Sequence, residues 1–233
     1  MERFRVQFSK EEAVKYISHL DLIRVWERSL RRAKMPVAFS EGFNPHPKLS
    51  LASALRVGTT SEAEILDIEL SRPVPAAVFA TAVQKVLPEG ITIRAVKNIS
   101  SSAPAAMAVA NLAGYRIAAA MTTGCAEEAV QAALAAFLAA TVVMTERMTS
   151  KGRKEINIRP LTPHLALLGL DENYLYLAAD MTMGTAGTGR PEEIVRVLRD
   201  DYGLPLAAEG HMIHRTGLYH RRADGTRLSL LEI

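Results

Sequence analysis

The sequence predicts an α+β protein built from two ferredoxin-like (βαββαβ) units in tandem, the second embellished. Over residues 4–96, segments of alternating and of helical hydrophobic periodicity follow the order strand, helix, strand, strand, helix, strand. After a connection that contains Ser100-Ser101-Ser102 and Pro104, the same order returns. On this reading residues 1–99 form the first unit, 100–111 the connection and 112–233 the second unit. The halves share no sequence identity, so the duplication rests on element order.

Each element has a local reason. Phe-Arg-Val-Gln-Phe at 4–8 alternates apolar and polar residues, as a half-buried strand does. Ser18 followed by Asp21 resembles a capping box and places a helix start near His19. Leu22, Trp26, Ser29 and Ala33, with Ile23 and Leu30 beside them, make one buried stripe and leave Arg24, Arg28, Arg31 and Arg32 on another face. Pro36 has no amide proton and clashes with the preceding turn, so the helix is expected to stop at about Met35. Strands at 37–40, 48–54 and 64–70 follow. Pro73 and Pro75 open a second helix whose apolar side is Val78, Phe79, Val83 and Val86, ended by Pro88-Glu89-Gly90 before a strand at 91–96.

In the second half, a strand at 115–121 leads to an alanine-rich helix at 125–140. Residues 142–148 and 155–159 flank Ser150-Lys151-Gly152 as a hairpin or one bent strand. Strands at 165–170 and 174–181 surround Asp171-Glu172-Asn173, and a helix at 191–201 and a strand at 212–220 close the set.

Composition sets further bounds. With 233 residues, 48% hydrophobic and 23% charged, the chain is that of a globular protein and not a disordered one. MERFRVQFSK lacks the apolar core of a signal peptide and no apolar run is long enough for a bilayer, so a cytoplasmic location is the expectation. One cysteine, Cys125, excludes an internal disulfide, a multi-thiolate zinc site and a cysteine-ligated iron–sulfur cluster held by this chain alone. Cys125 itself reads as a small residue near a helix start.

The net charge of +3 is unevenly placed: residues 1–60 carry 11 basic and 6 acidic side chains, 146–160 carry 5 and 2, and 161–210 carry 3 and 8. Such asymmetry steers a polyanion toward one face. Guanidinium groups spaced by helical turns, as at Arg24, Arg28, Arg31 and Arg32, can contact successive phosphates. Ion pairs at helical spacing, Asp21–Arg24 and Glu27–Arg31, would leave Arg28 and Arg32 uncommitted. Lys151, Arg153 and Lys154 form a second basic island at a turn that Gly152 permits.

The loop Gly42-Phe43-Asn44-Pro45-His46-Pro47 is stiffened by two prolines and can turn at Gly42. His46 between prolines has an imidazole free for solvent or a ligand, and becomes a general acid or base if it meets a substrate hydroxyl, with Tyr16 and Lys48 nearby in sequence. TMGTAGTGR at 182–190 matches neither the nucleotide P-loop nor the dinucleotide fingerprint and reads as a connection. The six histidines show no zinc-protease spacing, and His211 and His214 on a strand would face opposite sides, so no metal site is expected.

Residues 17–52, ISHLDLIRVWERSLRRAKMPVAFSEGFNPHPKLSLA, resemble the hallmark segment of the radical SAM-linked family, bacterial proteins found beside or fused to radical S-adenosylmethionine enzymes. The resemblance continues through Gly58, the acidic strand at 62–70, Ser150-Lys151-Gly152-Arg153-Lys154 and Arg190-Pro191-Glu192-Glu193. It implies a radical SAM partner that holds the S-adenosylmethionine and the iron–sulfur cluster, with no cofactor in this chain, and it carries no established activity.

The expectation is therefore an accessory protein, a non-catalytic partner, that binds or presents a structured RNA for modification. Arg24, Arg28, Arg31, Arg32 and Lys48 would hold that RNA with the 42–47 loop, and Lys151, Arg153 and Lys154 would add a second grip. Two alternatives stay open. One is a metal-independent endoribonuclease with His46 as catalyst, similar in outline to CRISPR repeat-processing enzymes; the other is a protein-only docking module for the radical SAM partner. Pseudouridine synthases also contain paired ferredoxin-like parts, but no Arg-Thr-Asp segment is present here to place their aspartate.

Overall fold

A computed structural model describes residues 2–149, 152–184 and 187–233. In chain order, β1 (Glu2–Lys10), α1 (His19–Arg32), β2 (Leu49–Leu51), β3 (Thr60–Leu70), α2 (Ala76–Gln84), β4 (Ile91–Ile99) and α3 (Ala106–Val109) come first. They are followed by β5 (Leu112–Ala120), α4 (Glu127–Ala139), β6 (Met144–Thr149), β7 (Gly152–Asn157), β8 (His164–Leu170) and β9 (Tyr174–Thr182). The chain closes with α5 (Pro191–Asp200), β10 (Met212–Arg221) and β11 (Arg227–Ser229). The fold is mixed α+β. Two compact units form, Met1–Ala110 with Arg215–Ile233, and Asn111–His214.

In the first unit the strands run β4–β1–β3, and both β2 and β10 pair with β3. Phe4 lies opposite Ile68 on one side and Asn98 on the other, both antiparallel, and Leu49 on β2 is also antiparallel to Ile68. One apolar core joins the elements: Phe4, Val6 and Phe8 of β1, Leu66, Ile68 and Leu70 of β3, Leu22, Trp26 and Leu30 of α1, and Phe79 and Val83 of α2. The Trp26 and Phe8 rings meet edge to face at 4.9 Å, and Phe4 and Phe79 do so at 5.1 Å. Each such burial contributes about 1.5–3 kcal/mol.

Ser18 caps α1 as expected, its Oγ accepting from the Asp21 amide at 3.2 Å. The helix ends earlier than the proline rule placed it, with Ala33 as the cap and not at Met35. Lys34 takes a left-handed φ of 55°, its amide donates to Arg31 O and the Met35 amide to Leu30 O, each at 3.0 Å. This is a Schellman stop, complete before Pro36 is reached. The strand expected at 37–40 reduces to isolated bridges, Val37 to Leu70 and Phe39 to Pro47, and that at 48–54 pairs only over Leu49–Leu51. Val78 of α2 is exposed, and the 100–111 connection contains the short α3.

The alternation at 4–8 implied a half-buried strand, but Arg5 is 0% exposed. Its five N–H donors all have acceptors. Nε donates to Asp67 Oδ1 at 2.7 Å, Nη2 to Asp67 Oδ2 at 3.0 Å and Pro104 O at 2.8 Å, and Nη1 to Leu230 O at 2.7 Å and Ile233 O at 2.9 Å. Asp67 also accepts from Arg3 Nη2 and from the Ala106 amide, both at 2.9 Å. A second buried pair, Arg215 with Glu64 at 3.0 Å, ties the residues after 214 to β3. Residues 215–233 thus lie in the first unit, whereas the sequence reading kept them with 112–214.

In the second unit β5 and β8 flank β9, both antiparallel to it, with Tyr115 and Leu165 opposite Ala179. β6 and β7 pair antiparallel, from Met144 opposite Asn157 to Thr149 opposite Gly152, and so are not one bent strand. Val130, Leu134 and Phe137 of α4 are buried, as are Ile194 and Leu198 of α5 and Leu165 and Leu177 of β8 and β9. Arg159 donates through Nε and Nη2 to Leu138 O in the last turn of α4, where a cation complements the helix dipole, and its guanidinium lies 5.7 Å from the centre of the Phe137 ring.

Removing Asp67 leaves a buried guanidinium without its counter-charge. Asp67→Ala is expected to cost about 3–5 kcal/mol in denaturant unfolding, with Arg5→Met/Asp67→Leu less damaging than the single change. Lys34→Gly relieves a left-handed lysine and should stabilise by about 1 kcal/mol; a loss of stability would show that the Lys34 side chain does more than occupy the stop.

Candidate functional site

The capped geometry of α1 fixes which arginines face outward. Because Leu22, Trp26, Ser29 and Leu30 are buried, the opposite side carries Leu20, Arg24, Arg28, Arg31 and Arg32, all exposed. Arg24 pairs with Asp21 at 2.9 Å, as its spacing implied. Asp21 in turn is held below the ordinary carboxylate range, first by the Ser18 hydroxyl and then by Arg24. The Glu27–Arg31 pair does not form. Arg28, Arg31 and Arg32 have no hydrogen bond or ion pair from their side chains among the described residues. Basic charge gathered in the last turn, Arg31 and Arg32, also suits the helix dipole.

The end of α1 feeds the loop through a backbone tied at both ends. Met35 N is bonded to Leu30 O, Ala38 N to Glu69 O, and Lys48 N to Ala38 O. The loop is then closed at its base, where Ser40 N donates to His46 O and His46 N to Ser40 Oγ, both at 2.9 Å. Beyond this base Glu41, Gly42, Phe43, Asn44 and Pro45 are exposed, with Gly42 at a φ of 123° that favours glycine. His46 engages the loop through its backbone while its ring faces solvent. Lys48, expected among the RNA contacts, is instead paired with Glu69 at 3.3 Å and partly neutralised.

The second island lies in the other unit. Lys151 falls outside the described residues, Arg153 sits 3.6 Å from Glu146, and Lys154 is exposed. Arg147, on the same hairpin, is bound to Glu193 at 2.6 Å through both Nε and Nη2 and to Thr188 O at 2.8 Å. Arg196 of α5 adds a bond to Thr145 Oγ1 at 2.7 Å. The Arg190-Pro191-Glu192-Glu193 segment therefore anchors the hairpin. Beside it is a cleft of about 330 Å³ whose lining includes Glu146, Glu155, Asp200 and Asp201. These carboxylates oppose an anionic ligand there.

The described glycine-loop amides serve the fold: Gly187 N donates to Gly184 O and Gly189 N to Thr182 O. A Cβ at Gly189 would meet Leu161 O and Met181 Sδ at 2.9 Å, so this glycine permits close packing. His211 precedes β10 and does not alternate with His214 on it; its Nδ1 accepts from the Ala120 amide at 3.1 Å. Among the described residues no group of His, Cys, Asp and Glu is arranged to hold a metal ion, and no helix is long and apolar enough to cross a membrane. Sequence reasoning missed Asp67, whose signal was an acidic residue on a strand with basic Arg5 opposite it, and the pairing of Arg147 with Glu193, for which spacing gives no signal.

Residues 3–191 match a family model described as an uncharacterized protein conserved in bacteria (DUF2344). No curated protein matches the chain. Among solved structures, a chain of a Cbf5–Nop10–Gar1 complex is similar with a TM-score of 0.54 at 9% identity, over 92% of this chain and 48% of that one. Chains from the archaeal box H/ACA sRNP Nop10–Cbf5 complex and from H/ACA RNP bound to a substrate RNA containing 2′-deoxyuridine give 0.47 at 9% identity, over 91% of this chain and 46% of theirs. The chain spans about half the length of these neighbours, and at such identity the likeness concerns fold alone.

Burial, and then the nearby Arg199, lower the pKa of His211 from its ordinary 6.5. The folded state thus favours neutral imidazole, and stability present above pH 6.5 is lost as pH falls toward the lowered folded value. His211→Gln should flatten the change in melting temperature between pH 7.5 and pH 5 relative to the parent; equal slopes would remove His211 as a source of that change.

Proposed function

We propose an RNA-presenting role for this chain, which belongs to the family described as an uncharacterized protein conserved in bacteria (DUF2344). The observation that carries the reading is the α1 surface, where Arg28, Arg31 and Arg32 stand exposed and without ion pairs among the described residues. A protein that only needed solubility gains little from leaving three guanidinium groups on one side of one helix. A polyphosphate backbone uses that arrangement directly, each contact releasing condensed counterions.

Arg24 and Lys48 contribute at the margin, since each already has a carboxylate partner. Arg153 and Lys154 on the hairpin are further contacts of this reading. The partner is a radical S-adenosylmethionine enzyme, a role that rests on the resemblance of residues 17–52, and it supplies the S-adenosylmethionine and the cluster. The same proposal takes both halves as ferredoxin-like. The antiparallel order β4–β1–β3–β2 supports this for the first, and β5–β9–β8 with the β6–β7 insertion is compatible with it for the second. A cytoplasmic setting goes with such a role.

The test is binding of nucleic-acid-free protein to a pool of small cellular RNAs over a salt series. Arg28→Ala/Arg32→Ala should weaken binding and make the plot of log affinity against log salt shallower by about 1.4 for single-stranded RNA, two contacts' worth. Unchanged affinity and slope would take the α1 face out of the site.

A further inference from the structure

The 40–46 loop holds a side chain that packing does not explain. Phe43 is 106% exposed, more open than in a free extended chain, and Phe39 at the base of the loop is 53% exposed. Large apolar side chains bury themselves in a fold when neighbours allow it; here the loop carries Phe43 away from them. The loop is not shapeless. Two hydrogen bonds between Ser40 and His46 close its base, the Phe39–Pro47 bridge continues the closure, and Pro45 and Pro47 restrict the backbone. A loop backbone closed this way has already lost part of the entropy that ordering it on binding would otherwise cost.

We propose that Phe43 is a stacking platform for an unpaired base, so that the site takes a single-stranded or loop segment of RNA and not a continuous duplex. The inference rests on the RNA-binding reading of α1 and deepens it. Only the seven residues from Ala33 to Phe39 separate Arg32 from the loop, and the backbone between them is fixed at Met35 and Ala38. Cationic side chains that follow a backbone beside an aromatic that receives a base are the two components of single-strand recognition. Bases within an A-form duplex are stacked on each other and offer no face to such a ring.

A protein partner is the other occupant to weigh. Apolar anchors at protein interfaces sit within a surround that excludes water. Phe43 stands instead among exposed Glu41, Gly42, Asn44, Pro45 and His46, with no Cβ-distance neighbour at Gly42. A ring without a water-excluding surround fits a flat base, which needs one face and not an encircling patch.

The experiment uses a fluorescein-labelled single-stranded RNA of about 12 nucleotides, within the span that such sites cover, and the same strand annealed to its complement. The parent should prefer the single strand. Phe43→Ala should weaken single-strand binding about 5- to 150-fold, leave duplex binding unchanged and keep the salt slope; Phe43→Trp should retain affinity and show quenched emission on binding. Because Phe43 is outside the core, melting temperatures of both variants should match the parent. Undiminished single-strand affinity of Phe43→Ala, with the slope still dependent on Arg28 and Arg32, overturns the stacking role alone. Absence of RNA binding by the parent overturns this inference and the RNA reading together. Loss of a copurifying protein in Phe43→Ala, with RNA affinity retained, reassigns the loop to protein docking and also overturns it.

Discussion

Arg5 is buried with all five of its donors engaged, and much of the first unit is arranged to make that possible. One carboxylate, Asp67, supplies two of the acceptors; the others are main-chain carbonyls from Pro104, Leu230 and Ile233. A guanidinium can be removed from water only when its charge is balanced and its hydrogen bonds are remade. Three distant stretches of chain must therefore converge on β1. The return of the segment after Arg215 to the first unit follows from the same demand, reinforced by the Arg215–Glu64 pair.

The arginines of α1 are the opposite case. They remain hydrated, so their presence costs the fold little, and the helix that displays them is held by apolar packing on its other side. Thus the molecule uses one residue type in two ways, and burial separates them. Arg5, Arg215 and Arg147 close internal polar networks, whereas Arg28, Arg31 and Arg32 project charge outward. The loop that follows α1 shows a matching division, its base satisfied by internal bonds and its tip left to solvent.

Much of this organisation was legible where local chemistry decides. Ser18 capped the helix it was expected to cap, and the apolar spacing of Leu22, Trp26 and Leu30 identified the buried side. The alternating runs of β1 and β3 marked strands, with boundaries off by a few residues. Legibility failed where a distant partner decides. Alternation in β1 locates two faces but does not say that Pro104, Ala106 and Leu230 cover the polar one. Pro36 looked like the stop because lysine seldom enters the left-handed region, yet Lys34 does so first. In the candidate site, exposure of Arg28 and Arg32 could be read from helical spacing, while the pairing of Lys48 with Glu69 required the register of the strands.

Trp26 is the chain's sole tryptophan, and it is enclosed in the first unit against Phe8, its indole N–H lacking a hydrogen-bond partner among the described residues. The protein is consequently lopsided as an optical object. Intrinsic tryptophan emission witnesses the environment of α1 and β1, and residues 111–214 contribute tyrosine light alone. Far-ultraviolet dichroism, by contrast, averages over helices and strands from both units. Comparing the two signals during denaturation therefore separates the melting of one unit from that of the whole chain without any label, a resolution that a second tryptophan elsewhere would have blurred.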